Sequence, residues 1–211
     1  MKRIAGKSYG SGSKGFTQAH ILGSDPVYLR KDSISCELQG EIETTSAYLG
    51  SLKAKYNDLQ STEVNLANQK EYSVRIINNC QDLLMNLGSM IFSSQYATYE
   101  DSTRTLLLTL EDRLTFLDKE LEATEFIKWG ADSLHSEWGL VTTRVRKLER
   151  VLVTWINNVN IIPVNMMPQY ELMLDFLNLL SKWTYYESRY YCKIKILKEE
   201  TWVSTYDNSV K

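Results

Sequence analysis

The sequence predicts an all-α protein, an elongated antiparallel three-helix bundle of coiled-coil type behind a disordered N-terminal tail. Three observations lead there. Helix breakers are few: Pro26, Pro163 and Pro168 are the only prolines, and five of the ten glycines fall in the first 23 residues. Very long helices can therefore run between them, because Gly and Pro are what interrupt helices. An apolar seven-residue rhythm holds from Leu38 to Ile91. A second, less regular rhythm runs from Leu107 to Ile162.

Residues 1–31 read as a basic Gly/Ser-rich tail with no periodic apolar pattern. Asp32 or Ser33 can cap the first helix, expected at about 33–94. One seam of that helix reads Leu38, Thr45, Leu52, Leu59, Leu66, Ser73, Cys80, Leu87. The other reads Ile42, Leu49, Tyr56, Glu63, Lys70, Ile77, Leu84, Ile91. Twelve of these sixteen positions are apolar and no register shift is needed, which is a coiled-coil pattern. Glu63, Lys70 and Ser73 form its polar middle.

The stretch Ser93–Asp101 reads as a turn before a second helix at about 101–162. Its apolar steps alternate three and four except at Leu121, Thr124 and Ile127, where two steps of three make a stammer. With Gly130 and Gly139 close by, a bend is expected near 124–139. Pro163 ends the helix, because the residue before a proline avoids the α region. Asn165 and Pro168 suit the start of a third helix at about 167–203, and residues 205–211 read as a polar tail. The domain layout is thus a tail at 1–31, a bundle at 32–204 and a C-terminal tail. The third helix covers only half of the other two, so the exposed seam calls for another chain.

Composition narrows the function. Lys and Arg number 24 against 26 Asp and Glu, a net charge of −2. That disfavours nucleic acid, whose binders draw their affinity from phosphate neutralisation. Cys36, Cys80 and Cys192 have no metal-ligand spacing, and their odd count fits a reducing cytoplasm. No apolar run approaches the ~18 residues that a membrane span needs.

Gly10–Gly15 matches GxGxxG but stands in a Gly/Ser tail with no strand and helix around it, so it reads as linker. Asp132 and His135 have the spacing of a metal-binding helix. The only other histidine is His20, so the pair reads as solvent-facing. No Ser/His/Asp set can be assembled, and neither catalysis, a metal nor a cofactor is expected.

Two constellations remain. Leu52, Tyr56, Leu59 and Leu66, Trp138 and Trp155, and Trp183 and Tyr190 are apolar seam and aromatic residues suited to burial between chains. Folding about the turns brings Lys53 and Lys55 to the level of Arg144, Arg146, Lys147, Arg150 and Lys182. That basic band is a candidate surface for lipid headgroups or an acidic partner.

In helix number, helix length, the bend in helix two and the mid-bundle basic band, residues 33–203 resemble a BAR-type domain of the sorting-nexin kind. The resemblance implies a dimer of bent helices peripheral to curved, anionic membranes. From the residues themselves, the leading expectation is a non-catalytic scaffold subunit. It would form a homodimer or hetero-oligomer through its seams, with BAR-like membrane binding as the alternative.

Overall fold

A computed structural model describes residues 3–4, 7–8, 15–22, 25, 27–60, 63–92, 99–122, 126–158 and 167–202. The expected cap at Asn165, the stop at Pro163, the stammer residue Thr124 and the 205–211 tail lie outside these residues. Most of the Ser93–Asp101 turn does so too.

The helical class holds, but the number of helices does not. Five helices are present among the described residues: α1 (Ile34–Asp58), α2 (Val64–Phe92), α3 (Glu100–Glu120), α4 (Ser133–Asn158) and α5 (Met167–Lys195). Short antiparallel strand pairs accompany them. They are β1 (Arg3–Ile4) with β2 (Lys7–Ser8), β3 (Phe16–Ala19) with β4 (Val27–Arg30), and β5 (Ile127–Lys128) with β6 (Glu200–Thr201). The second half of the expected tail is therefore a hairpin. Gly15, at φ +79°, accepts at its carbonyl from Lys31 N–H at 2.8 Å and closes it. Leu22 N–H donates to Ile91 O at 3.0 Å and ties the hairpin to the end of α2.

The expected first rod is a helical hairpin. Ser33 caps α1, its hydroxyl accepting from Cys36 N–H at 3.4 Å. Leu59 then turns to extended backbone, and Lys70 Nζ donates to the carbonyls of Asn57 and Leu59, both at 3.1 Å. These are carbonyls that a helix end leaves without intrahelical partners. Beyond the turn α2 runs back along α1. Lys53 meets Asn78 and Gln81 (2.9 Å each), Gln81 Nε2 donates to Ser46 O at 2.8 Å, and Gly88 lies against Ile42. Of the sixteen seam positions, Leu59, Glu63 and Lys70 are not buried, and all three flank the turn. The seven-residue rhythm survives because both arms turn the same stripe toward one core.

The second rod is divided where the stammer was read. Leu121 leaves α3 in extended conformation, β5 follows, and α4 starts afresh at Ser133. An unbroken bent helix is thereby replaced by two helices that pack on opposite flanks of α5. Against α4, α5 is antiparallel, with Trp155 opposite Tyr170 and Thr142 bonded to Thr184. Against α3 it is parallel, with Arg113 on Glu187, Phe116 on Tyr190 and Glu120 on Lys193. α4 is also antiparallel to α1, placing Trp138 against Tyr56 and Lys147 against Glu41.

The core is aromatic at its centre. Trp138 meets Trp183 edge-on at 5.3 Å and Tyr56 at 5.9 Å, and its indole N–H donates to the Tyr56 hydroxyl at 3.2 Å. Below them sits one fully buried carboxylate. Glu187 accepts from Arg113 at 2.5 and 3.1 Å, from Gln69 at 3.1 Å and from Trp183 Nε1 at 3.2 Å. Burial works against the Arg113 charge, but the Glu187 carboxylate more than offsets it and raises the guanidinium pKa. Three aromatic rings surround that guanidinium, those of Tyr72, Phe116 and Tyr190, at 4.7, 4.7 and 5.1 Å.

α5 stops earlier than the expected 203. Leu197 N–H donates to Cys192 O and Ile196 N–H to Lys193 O, the pairing of a Schellman cap. The left-handed position belongs to Ile196, at φ +54° and 92 % exposed. A β-branched residue is strained there, and glycine is not.

Two outcomes follow. Arg113→Met leaves Glu187 buried without its cation and should cost about 3–5 kcal/mol in chemical denaturation. Ile196→Gly should raise stability by about 1 kcal/mol, read as an increase in Tm.

Candidate functional site

α4 organises the surface most suited to chemistry. Asp132 caps it, its Oδ1 accepting from His135 N–H at 2.7 Å while Oδ2 accepts from the Tyr191 hydroxyl at 2.6 Å. One stripe of α4 is core: Leu134, Trp138, Val141, Val145, Leu148, Leu152 and Trp155. The opposite stripe is exposed and carries Leu140, Thr143, Arg146, Arg150 and Val153. The 3.6-residue period separates the two stripes.

The cations on α4 fall into two rows. Toward α1, Lys147 donates to Glu41 Oε1 at 2.6 Å, and the Arg144 guanidinium stands 5.0 Å from the centre of the Tyr48 ring. Away from that seam stand Arg146 and Arg150, with Lys182 exposed on neighbouring α5. Among the described residues, no carboxylate lies within 4 Å of Arg146, Arg150 or Lys182.

The seven-cation band read from the sequence is therefore divided. Lys53 faces α2, and Lys55 lies 3.9 Å from Glu137, well along α4 from Lys147. The register of a 25-residue α1, rather than a 60-residue rod, sets this offset.

The residues expected between chains lie inside one chain. Leu52, Tyr56, Leu66, Trp138, Trp155 and Trp183 have no exposed surface. Leu59 and Tyr190 are partly buried against the same core. The indole N–H of Trp155 is also used internally, donating to Ser35 Oγ at 3.0 Å. Five helices of 21 to 29 residues cover one another's apolar stripes, so none of these six residues is left for a second chain.

Nor does the Asp132–His135 pair face solvent, since His135 is fully buried. Gly130, at φ +129°, and Ala131 direct their N–H groups at His135 Nδ1, at 3.3 and 3.1 Å. Trp129 lies over the imidazole, 5.1 Å away, in a space that exists only because residue 139 is glycine. A Cβ there would come within 2.4 Å of the Trp129 ring.

His135, Cys192 and Glu199 bring their polar atoms within 4.8 Å of one another, a spacing that could hold a metal ion. The tautomer of His135 opposes that use. With Nδ1 accepting two N–H groups, the imidazole proton sits on Nε2, which is then a donor and not a ligand. Burial, with Glu199 and Asp132 nearby, pushes the Cys192 thiol pKa up to about 12. Among the described residues His135 Nε2 and Glu199 Oε1 have no hydrogen-bond partner, so the knot that ties the loop before α4 to α5 is made by the Asp132 cap, the two N–H groups on His135 Nδ1 and the Tyr191 hydroxyl on Asp132.

Comparison with known proteins places this architecture. A family model described as cobalamin adenosyltransferase matches residues 9–191. The chain belongs to that family. It resembles solved structures of variant PduO-type ATP:corrinoid adenosyltransferases from Lactobacillus reuteri. One, complexed with cobalamin and ATP, is 20% identical, with a TM-score of 0.66 over 91% of this chain and 94% of that one. Another variant with the same ligands is 19% identical, with a TM-score of 0.62 over 92% and 97%. A third, complexed with ATP, gives the same identity, score and coverage. At such identity the likeness speaks to the fold. No curated protein sequence matches the chain.

These findings overturn the expected scaffold role, the BAR-type resemblance and the reading of the chain as a non-enzyme. The membrane and scaffold partners go with them. Among the described residues, no helix is long and apolar enough to cross a membrane. The Gly10–Gly15 run, read as linker, falls inside the matched stretch, although only Gly15 of it is among the described residues.

His135 supplies a pH test. Burial lowers its pKa below the ordinary 6.5, with Asp132 opposing. Its neutral form therefore contributes stability above that value, and the contribution is lost as pH falls through the folded pKa. His135→Phe should cost about 2 kcal/mol at pH 7 by orphaning two N–H groups. In thermal melts, that cost should shrink as the pH is lowered toward 5.

Proposed function

We propose that the chain is an ATP:corrinoid adenosyltransferase, moving the adenosyl group of ATP onto a corrinoid. The observation that carries this reading is the family match, which runs from residue 9 to 191 and so spans the bundle nearly from end to end.

The chemistry asks for cations. Adenosyl transfer breaks the bond between the ribose C5′ and the triphosphate oxygen, so the leaving group is a polyanion. Fixed positive groups beside that oxygen stabilise the charge as it develops, and more so where water is excluded. The α4 face supports this use. Arg146 and Arg150 stand four residues apart on one exposed stripe, and among the described residues no carboxylate lies within 4 Å of either. An arginine fork matches phosphate oxygens in two-point geometry.

The decisive measurement is anaerobic turnover of a reduced corrinoid with ATP, followed by visible absorption and chromatography of the adenosylated product and by triphosphate release. Product should form. Arg146→Ala and Arg150→Ala should each raise the KM for ATP about tenfold, equivalent to roughly 1.4 kcal/mol. Absence of product under conditions where an authentic adenosyltransferase turns over would overturn the reading.

A further inference from the structure

The α1–α4 seam carries a feature that the exposed arginine row does not account for. Glu41 and Tyr48 are seven residues apart, which places them on one face of α1. Arg144 and Lys147 are three apart, which places them on one face of α4. Antiparallel packing matches the pairs: Lys147 Nζ lies 2.6 Å from Glu41 Oε1, and the Arg144 guanidinium carbon lies 5.0 Å from the Tyr48 ring centre.

Arg144 and Tyr48 are both half-buried. The guanidinium is therefore held while still reachable from solvent. A ring face attracts a guanidinium without consuming its five N–H donors as a carboxylate would. Among the described residues no carboxylate lies within 4 Å of Arg144, whereas the neighbouring Lys147 is neutralised by Glu41. Of these two seam cations, Arg144 thus keeps its donors and its charge for an anion. A long side chain so restrained loses less rotamer freedom when that anion binds.

We propose that Tyr48 is a positioning residue for nucleotide binding. Its ring holds the Arg144 guanidinium on the α1–α4 seam, preorganised for the polyphosphate of ATP. This rests on the adenosyltransferase reading given above and adds a residue of α1 that touches no phosphate and acts only through Arg144. Arg144 belongs to the α1-facing row of α4, so it would meet the polyphosphate from the other flank of the helix than Arg146 and Arg150.

A double-mutant cycle tests it, read as the ATP dissociation constant by calorimetry and as KM and kcat in turnover. Arg144→Ala should weaken ATP about tenfold. Tyr48→Ala should weaken it about fivefold, through KM more than kcat. Tyr48→Phe should stay within twofold of the parent, because the ring face is kept. Tyr48→Leu keeps the bulk without the ring and should behave like Tyr48→Ala, which covers the case where alanine unfolds the seam. The double variant Tyr48→Ala/Arg144→Ala should bind no worse than Arg144→Ala alone, since Tyr48 has then nothing to hold. Additive losses, or a Tyr48→Leu protein that binds like the parent, would overturn the positioning role while leaving the adenosyltransferase reading intact. A parent protein that neither binds ATP nor transfers adenosyl would overturn both.

Discussion

The bundle is organised around one fully buried carboxylate, that of Glu187. Glu187 has no exposed surface and is satisfied by donors from three helices: Gln69 on α2, Arg113 on α3 and Trp183 on α5 itself. A charge in that position is tolerable only when its donors are placed correctly, because desolvation would otherwise dominate. Apolar contacts alone would let α3 slide along α5. The fork of Arg113 on Glu187 selects one register, and that register puts Phe116 on Tyr190 and Glu120 on Lys193. The parallel packing of α3 and α5 in turn leaves α4 the opposite flank of α5, against α1.

α4 is therefore at once a core helix and a surface helix. Its Trp138 and Trp155 anchor it between α1 and α5, and both indole N–H groups find hydroxyl partners on α1. The same anchoring turns Arg146 and Arg150 outward, while Arg144 and Lys147 are drawn to the α1 seam. The knot at the start of α4 fixes where the helix begins. Asp132 caps it, His135 gathers the two loop N–H groups, and Trp129 closes over Gly139. In this fold the surface chemistry of one helix is set by how rigidly its other face is held.

Much of the fold was legible locally. The heptad frame from Leu38 to Ile91 identified the buried stripe almost residue for residue, with Leu59, Glu63 and Lys70 as the exceptions. Those exceptions were also the trace of the turn, since seam positions fail only around the point where the chain leaves the core, with Leu66 buried between them. No glycine or proline marked the reversal. It is made by Leu59 taking extended backbone and by Lys70 capping carbonyls from across the turn, neither of which has a local pattern. The stammer at Leu121–Ile127 likewise marked a real interruption, read as a bend where the chain makes a strand. The basic residues of α4 were found by composition, but their division into two rows follows from partners on other helices. Tyr48 and Glu41, which hold one row, gave no signal along the chain.

By itself the sequence determined the helical class and the apolar stripes that are buried, because amphipathic period is a local property of the chain. It did not determine whether those stripes meet within one chain or between two, since a seven-residue rhythm is the same in either case. Tertiary structure decided that, through turns made by single backbone torsions and a register fixed by one ion pair between residues 74 positions apart. The same decision turned a presumed association surface into core and left the cations of α4 as the face available for chemistry.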